Sequence, residues 1–132
     1  IDVSELMANI ARQRNRRAVA RGEVDVRVGD VCSSDLGSSN FDRIFSVHCI
    51  YFWRDVDGAL AKLTEALRPG GKLVLAFRPD SDDIPERFRD PTYRFPRLEQ
   101  LEASLAKAGF TIDRMANSAA SPTALLLTAS KA

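Results

Sequence analysis

Four residues stand immediately after segments that read as strands, Asp2, Asp30, His48 and Arg78, and two of the four are carboxylates. Ligands of an open α/β sheet bind beyond the carboxyl ends of its strands, so these positions are where chemistry is expected. A carboxylate at Asp2, where a strand hands over to a helix, can accept hydrogen bonds from both hydroxyls of a ribose. Asp30, after the next strand, can accept from an adenine amino group. An aspartate at such a turn also serves simply as a cap or turn former. His48 is the only histidine; it can take a proton near neutral pH, or be a hydrogen-bonded residue at a strand end. Tyr51, Phe52 and Trp53 offer either an aromatic wall for a pocket or packing on the sheet.

The elements that must hold these residues follow from periodicity. Ser4 with Glu5 starts a helix whose apolar residues Leu6, Met7, Ile10 and Ala11 recur at helical spacing, and Gly22 is placed to end it. Val24, Val26 and Val28 alternate with polar residues as in a half-buried strand ending at Gly29-Asp30. After a Ser- and Gly-rich loop, Phe41 to His48 reads as a strand buried on both faces. Val56, Leu60, Leu63 and Leu67 give a helix stopped by Arg68-Pro69-Gly70-Gly71, and Leu73 to Phe77 a third buried strand. Four prolines between Arg78 and Pro96 predict a loop. Leu98, Leu101, Leu105 and Ala108 predict a helix ended by Gly109, before closing strands at Phe110–Met115 and Ala124–Thr128. The order predicts an α/β fold: a Rossmann-like, mostly parallel sheet with flanking helices and an antiparallel closing pair. No repeat or linker divides the chain, so one domain over residues 1–132 is expected.

Composition narrows the function classes. With 132 residues, 45% hydrophobic and 28% charged, the chain matches a globular domain. Nineteen basic and eighteen acidic residues leave a net charge of +1, which favours neither nucleic acid nor an anionic membrane. No apolar run approaches bilayer length and no secretory signal opens the chain, so a cytoplasmic setting is expected. Cys32 and Cys49 suggest neither a disulfide framework nor a metal site.

Ile-Asp-Val-Ser-Glu-Leu-Met (1–7), Val-Gly-Asp (28–30), Phe-Asp-Arg-Ile-Phe-Ser-Val-His (41–48) and Leu-Arg-Pro-Gly-Gly-Lys-Leu-Val-Leu (67–75) occur in this order. Together with Ile50 to Asp55 and Leu101 to Phe110, the series resembles the class I S-adenosylmethionine-dependent methyltransferases that act on small molecules. The resemblance implies that Asp2 binds the cofactor ribose and Val3 packs on the adenine. It implies that Asp30 with the Val31 backbone reads the adenine edge, and that Ser46 and Val47 face the methionine half. His48, Tyr51 and Trp53 are then the acceptor-side residues, with His48 a candidate base and no metal required.

Two departures qualify what the resemblance implies. The family's first strand and glycine-rich turn belong ahead of Ile1, and the chain, opening on a helix signal without Met, reads as the carboxy-terminal part of something longer. Alone, such a part is expected to be inactive. Val31-Cys32-Ser33-Ser34-Asp35-Leu36 stands where the family has an apolar, proline-containing loop, and it looks like one reading frame of a common sequencing adapter. Three alternatives to methyl transfer are a non-catalytic Rossmann-like remnant, a Rossmann dehydrogenase, and a nucleotide- or nucleic-acid-binding module gripping phosphates through Arg12, Arg14, Arg16, Arg17 and Arg21. The arginines lack interleaved aromatic residues, which disfavours the last.

Overall fold

The computed structural model describes residues 1–119 and 121–132, which form two compact units, Ile1–Asp35 and Leu36–Ala132.

In the first unit, helix α1 spans Glu5–Arg14 and helix α2 Arg16–Ala20. The Ser4 hydroxyl accepts from the Met7 N–H at 3.3 Å, and acidic Glu5 with basic Arg12 and Arg14 complements the helix dipole. The single helix expected here is broken at Asn15, whose side-chain amide turns back onto the Ala11 carbonyl at 2.9 Å. Such local bonds compete with the helical ladder. Gly22, at φ +71°, ends α2 as expected. The apolar stripe differs from expectation: Ala8 is buried, whereas Leu6 is 69% exposed and Met7 is exposed. The strand expected over Val24–Val28 is reduced to one parallel bridge, Asp2 to Val28. Backbone groups along 24–27 find little partner strand, and a strand exists only where its ladder is paired.

The second unit holds the sheet, with strands β1 (Phe41–Val47), β2 (Leu67–Phe77), β3 (Phe110–Ser118) and β4 (Ser121–Lys131) in spatial order β1-β2-β4-β3. Helices α3 (Val56–Ala66) and α4 (Leu98–Lys107) pack on β2 and β3 and on each other. This is the expected α/β class. Its described sheet is mixed rather than mostly parallel, because β1 and β2 run parallel while β4 runs antiparallel to both β2 and β3.

Leu73, Leu75 and Phe77 on β2, Leu60 and Leu63 of α3, Leu101 and Leu105 of α4, and Leu127 and Ala129 of β4 are all buried and make up the core. Helix α3 starts at Asp55, whose carboxylate accepts from the Gly58 N–H at 2.9 Å, and the strand begins directly at Leu67. The Arg-Pro-Gly-Gly segment therefore opens β2 rather than preceding it. Gly70 is at φ +73°, and a Cβ on Gly71 would lie 2.8 Å from the Arg68 carbonyl oxygen. The closing strands extend beyond the expected ranges and take in Ser118, Ser121 and Pro122.

Strand β1 is present but not buried on both faces, since Phe45 is 78% exposed and Phe41 and Val47 are exposed too. Among the described residues it is an edge strand paired with β2, and an edge is covered only as far as its helices reach. The loop 78–96 is irregular except for one 3₁₀ turn, Glu86–Phe88. Arginines hold it: Arg89 reaches the Ile84 and Asp82 carbonyls at 3.2 and 2.8 Å, and Arg78 the Asp83 carbonyl at 2.6 Å.

Candidate functional site

Within the first unit, the Asp2 N–H donates to the Arg27 carbonyl at 3.1 Å and the Gly29 N–H to the Asp2 carbonyl at 2.9 Å. This parallel pairing sets Asp2 and Asp30 at the same, carboxyl end of two adjacent extended segments. Each carboxylate also closes its own turn. Asp2 Oδ1 accepts from the Ser4 N–H and Asp30 Oδ1 from the Cys32 N–H, both at 2.8 Å. The turn-forming role is thus realised, and it does not exhaust the groups, since a carboxylate offers about four lone-pair sites. Val3 is exposed and Val31 half-buried.

Within the second unit, Ser46 and Val47 lie at the end of β1, paired with Leu75 and Ala76. Ser46 is half-buried and Val47 exposed. His48 follows at φ +53°, a conformation uncommon outside glycine, with its N–H donating to the Ala76 carbonyl at 2.8 Å. Its Nδ1 lies 2.8 Å from Tyr51 Oη, and the Arg78 N–H donates to that same oxygen at 2.7 Å. Three of the sequence-derived residues, His48, Tyr51 and Arg78, therefore meet at the carboxyl ends of β1 and β2. Tyr51 is 6% exposed, and burial pushes its phenol pKa up, partly offset by the Arg78 N–H. Arg78 Nε is buried without a partner.

Trp53 is only 7% exposed and packs with the core. Within residues 51–53 the exposed aromatic is Phe52, which faces Tyr93 with ring centroids 5.3 Å apart. Tyr93 meets Phe88, also at 5.3 Å, and Phe95 lies 4.8 Å from Tyr51. Phe88, Tyr93 and Phe95 were not singled out from the sequence, although three aromatics in eight residues of a proline-rich loop are the signal that would have marked them. The Arg94 N–H, donating to the Tyr51 carbonyl at 3.1 Å, fastens that loop to the 3₁₀ turn Ile50–Phe52.

An open cavity of about 510 Å³ lies elsewhere, against Asn40, Arg43, Arg68, Gly70 and Lys72. Those residues are at the amino ends of β1 and β2, opposite to the end at which an α/β sheet binds ligands.

The profile of the methyltransferase-domain family matches residues 1–75. The chain belongs to that family. Its fold is that of solved S-adenosylmethionine-dependent, class I methyltransferases. The uncharacterized methyltransferase YdaC of Bacillus subtilis is 33% identical over 111 residues, covering 83% of this chain and 56% of YdaC. The geranyl diphosphate C-methyltransferase of Streptomyces coelicolor superposes with TM-score 0.83 over 98% of this chain and 60% of its own, at 11% identity. A phosphoethanolamine N-methyltransferase of Haemonchus contortus, solved with S-adenosyl-L-methionine, is 29% identical with TM-score 0.74, covering 87% of this chain and 28% of that one. The chain spans about half the length of the curated relatives it matches, 56% and 43% for the first two.

In this methyltransferase chain, the family match over 1–75 takes in both acidic turns and the His48–Tyr51 pair. The aromatic loop residues Phe88, Tyr93 and Phe95 fall outside it.

Proposed function

We propose that the enzyme to which these residues belong transfers a methyl group from S-adenosylmethionine to a small-molecule acceptor. The observation that carries this reading is the parallel pairing that sets Asp2 and Asp30 together at one end of adjacent segments. The Haemonchus relative, at 29% identity, holds S-adenosyl-L-methionine in its crystal, which supports the same cofactor here. Asp2 would accept from the ribose hydroxyls, and Val3, exposed beside it, would pack on the adenine. Asp30 and the Val31 backbone would read the adenine edge. Ser46 and Val47 would face the methionine half, and His48 and Tyr51 the acceptor, with Phe52 and Tyr93 added from the structure in place of the core residue Trp53.

The sulfonium supplies an already activated methyl group, so what the chain's residues must do is hold the reacting partners in line and exclude water. The buried ring of Tyr51 and the aromatic cluster on loop 78–96 suit the second task. Arg12, bonded to the Val26 carbonyl at 2.8 Å, and Arg21, paired with Glu23 at 2.7 Å, are structural in the first unit, which weakens a phosphate-gripping alternative. Residues 31–36 are read as adapter-derived, and re-reading the locus tests this: the same codons would make Asp35 a native residue needing its own account.

No glycine-rich turn of the family type occurs within residues 1–132. Calorimetric titration of S-adenosylhomocysteine into this chain, and into a form carrying a family strand and glycine turn ahead of Ile1, tests the proposal. Binding by the extended form, weakened about tenfold or more by Asp2→Ala, is the expected outcome, because a charge-assisted hydrogen bond contributes on the order of 1.5–3 kcal/mol. Binding by neither form would overturn the cofactor assignment.

A further inference from the structure

Tyr51 Oη holds two polar neighbours, and the hydrogen bookkeeping between them decides what His48 can do. A phenol has one proton to give and lone pairs to accept with. The Arg78 backbone N–H can only donate, and it does so to Oη at 2.7 Å. The phenol proton then needs an acceptor, and Tyr51 is 6% exposed, so water does not readily supply one. His48 Nδ1, at 2.8 Å, is the acceptor at hand. Were Nδ1 to carry the proton instead, it and the Arg78 N–H would both point at Oη and the buried hydroxyl hydrogen would be left unmatched. Burial also pushes the phenol pKa up, which keeps that proton in place.

We propose that Tyr51 is a positioning residue that holds neutral His48 as the Nε2–H tautomer, so that the ring at the end of β1 presents a hydrogen-bond donor rather than a base. Nδ1 is occupied by the phenol and Nε2 by its own proton, which leaves no free lone pair on the neutral ring. The backbone supports this pose. His48 sits at φ +53° with its N–H fixed to the Ala76 carbonyl, and its ring lies 26° from the plane of Tyr51 at 6.0 Å.

For the site proposed above, on which this consequence rests, the acceptor class is narrowed. His48 Nε2–H suits an acceptor bearing a lone-pair oxygen or nitrogen beside the reacting atom, such as a carboxylate, carbonyl or phenolate. An acceptor that must lose a proton would give it up elsewhere, to solvent or to another base.

The test needs no ligand, so it stands apart from whether the cofactor binds. His48 is the only histidine in the chain, and its two ring nitrogens give one unambiguous pair of signals in a long-range ¹H–¹⁵N correlation spectrum. Recorded above pH about 8, where imidazoles are ordinarily neutral, the wild-type chain should show a protonated Nε2 and a hydrogen-bonded, unprotonated Nδ1. The other tautomer should stay below about a tenth, the population left by one unmatched buried donor. In Tyr51→Phe, the Nδ1 signal should move to that of a ring nitrogen without a phenol donor, and the minor tautomer should rise severalfold. A dominant Nδ1–H form in the wild type would overturn the proposal. So would a Tyr51→Phe chain of unchanged circular dichroism in which neither signal moves. If Tyr51→Phe does not fold, the wild-type tautomer decides alone.

Discussion

Residues 1–35 carry the two acidic turns assigned to the cofactor and residues 36–132 the residues assigned to the acceptor, and the two units are built differently. The first unit buries a single apolar side chain fully, Ala8, and its extended segments meet in one bridge. The second has eleven-residue β2 and β4 paired along six positions and a core of Leu73, Leu75 and Phe77 from β2 together with leucines of both helices and of β4. The acidic residues that would read the cofactor's adenosine therefore stand on turns closed by local hydrogen bonds, whereas His48 and Tyr51 stand on a scaffold with its own core. Turns can fix a carboxylate's direction, but only packing makes that direction expensive to lose.

The difference can be broken most directly in the core. Leu75→Ala, at a position with essentially no exposure, should destabilise the chain by about 2–5 kcal/mol in chemical denaturation. Leu6→Ala in the first unit should change it by less than about 0.5 kcal/mol. Equal losses would mean that the first unit is packed as tightly as the second. Next in size is Tyr51→Phe, which leaves the Arg78 N–H without its acceptor and should cost about 1–3 kcal/mol by the same denaturation measurement.

Gly70→Ala sharpens the comparison within the second unit. A Cβ there meets nothing within 4 Å, so the penalty comes from φ +73° alone and should be about 1–2 kcal/mol. An unchanged midpoint would mean that the opening residues of β2 relax without strain.

The smallest effect is electrostatic. Asp113 accepts from the Ser130 hydroxyl at 2.6 Å and from Lys72 at 3.1 Å, and these contacts hold its carboxyl below the ordinary aspartate value. A carboxylate lowered in the folded state contributes stability above its unfolded value, about 3.9, and loses it as pH falls through the lower folded value. The gap between wild type and Asp113→Asn should therefore be constant near neutrality and close below about pH 4. Denaturation midpoints measured from pH 7 to pH 2 check it; a gap that widens on acidification would contradict the assignment.

The second unit was largely legible in the sequence because its signals are redundant. Helical spacing from Val56 to Leu63 and from Leu98 to Leu105, together with Gly109 as a stop, all agree with the packing observed. The alternating valines 24–28 misled, because alternation reports a side-chain pattern and not the presence of a partner strand. Phe41–Val47 misled about burial for a related reason: an apolar run states what a strand could bury, and its place in the sheet decides what covers it. At the candidate site, the positions of Asp2, Asp30 and His48 at the carboxyl ends of extended segments were legible. The Tyr51–Arg78 link was not, since a backbone N–H donating to a side chain 27 residues away leaves no mark in composition or period.

The central claim, that the adenosine-reading residues sit on the lightly built unit and the acceptor-facing ones on the packed unit, is tested most directly by amide hydrogen exchange. The form extended with a glycine turn would be measured with and without S-adenosylhomocysteine. Without ligand, amides of 1–35 should exchange faster than those of β2 and β4. With it, protection should rise at residues 2–4 and 28–32, and to a lesser degree at 46–48. Protection appearing around Asn40–Arg43 and Arg68–Lys72 instead, or no change at the two acidic turns, would contradict the account.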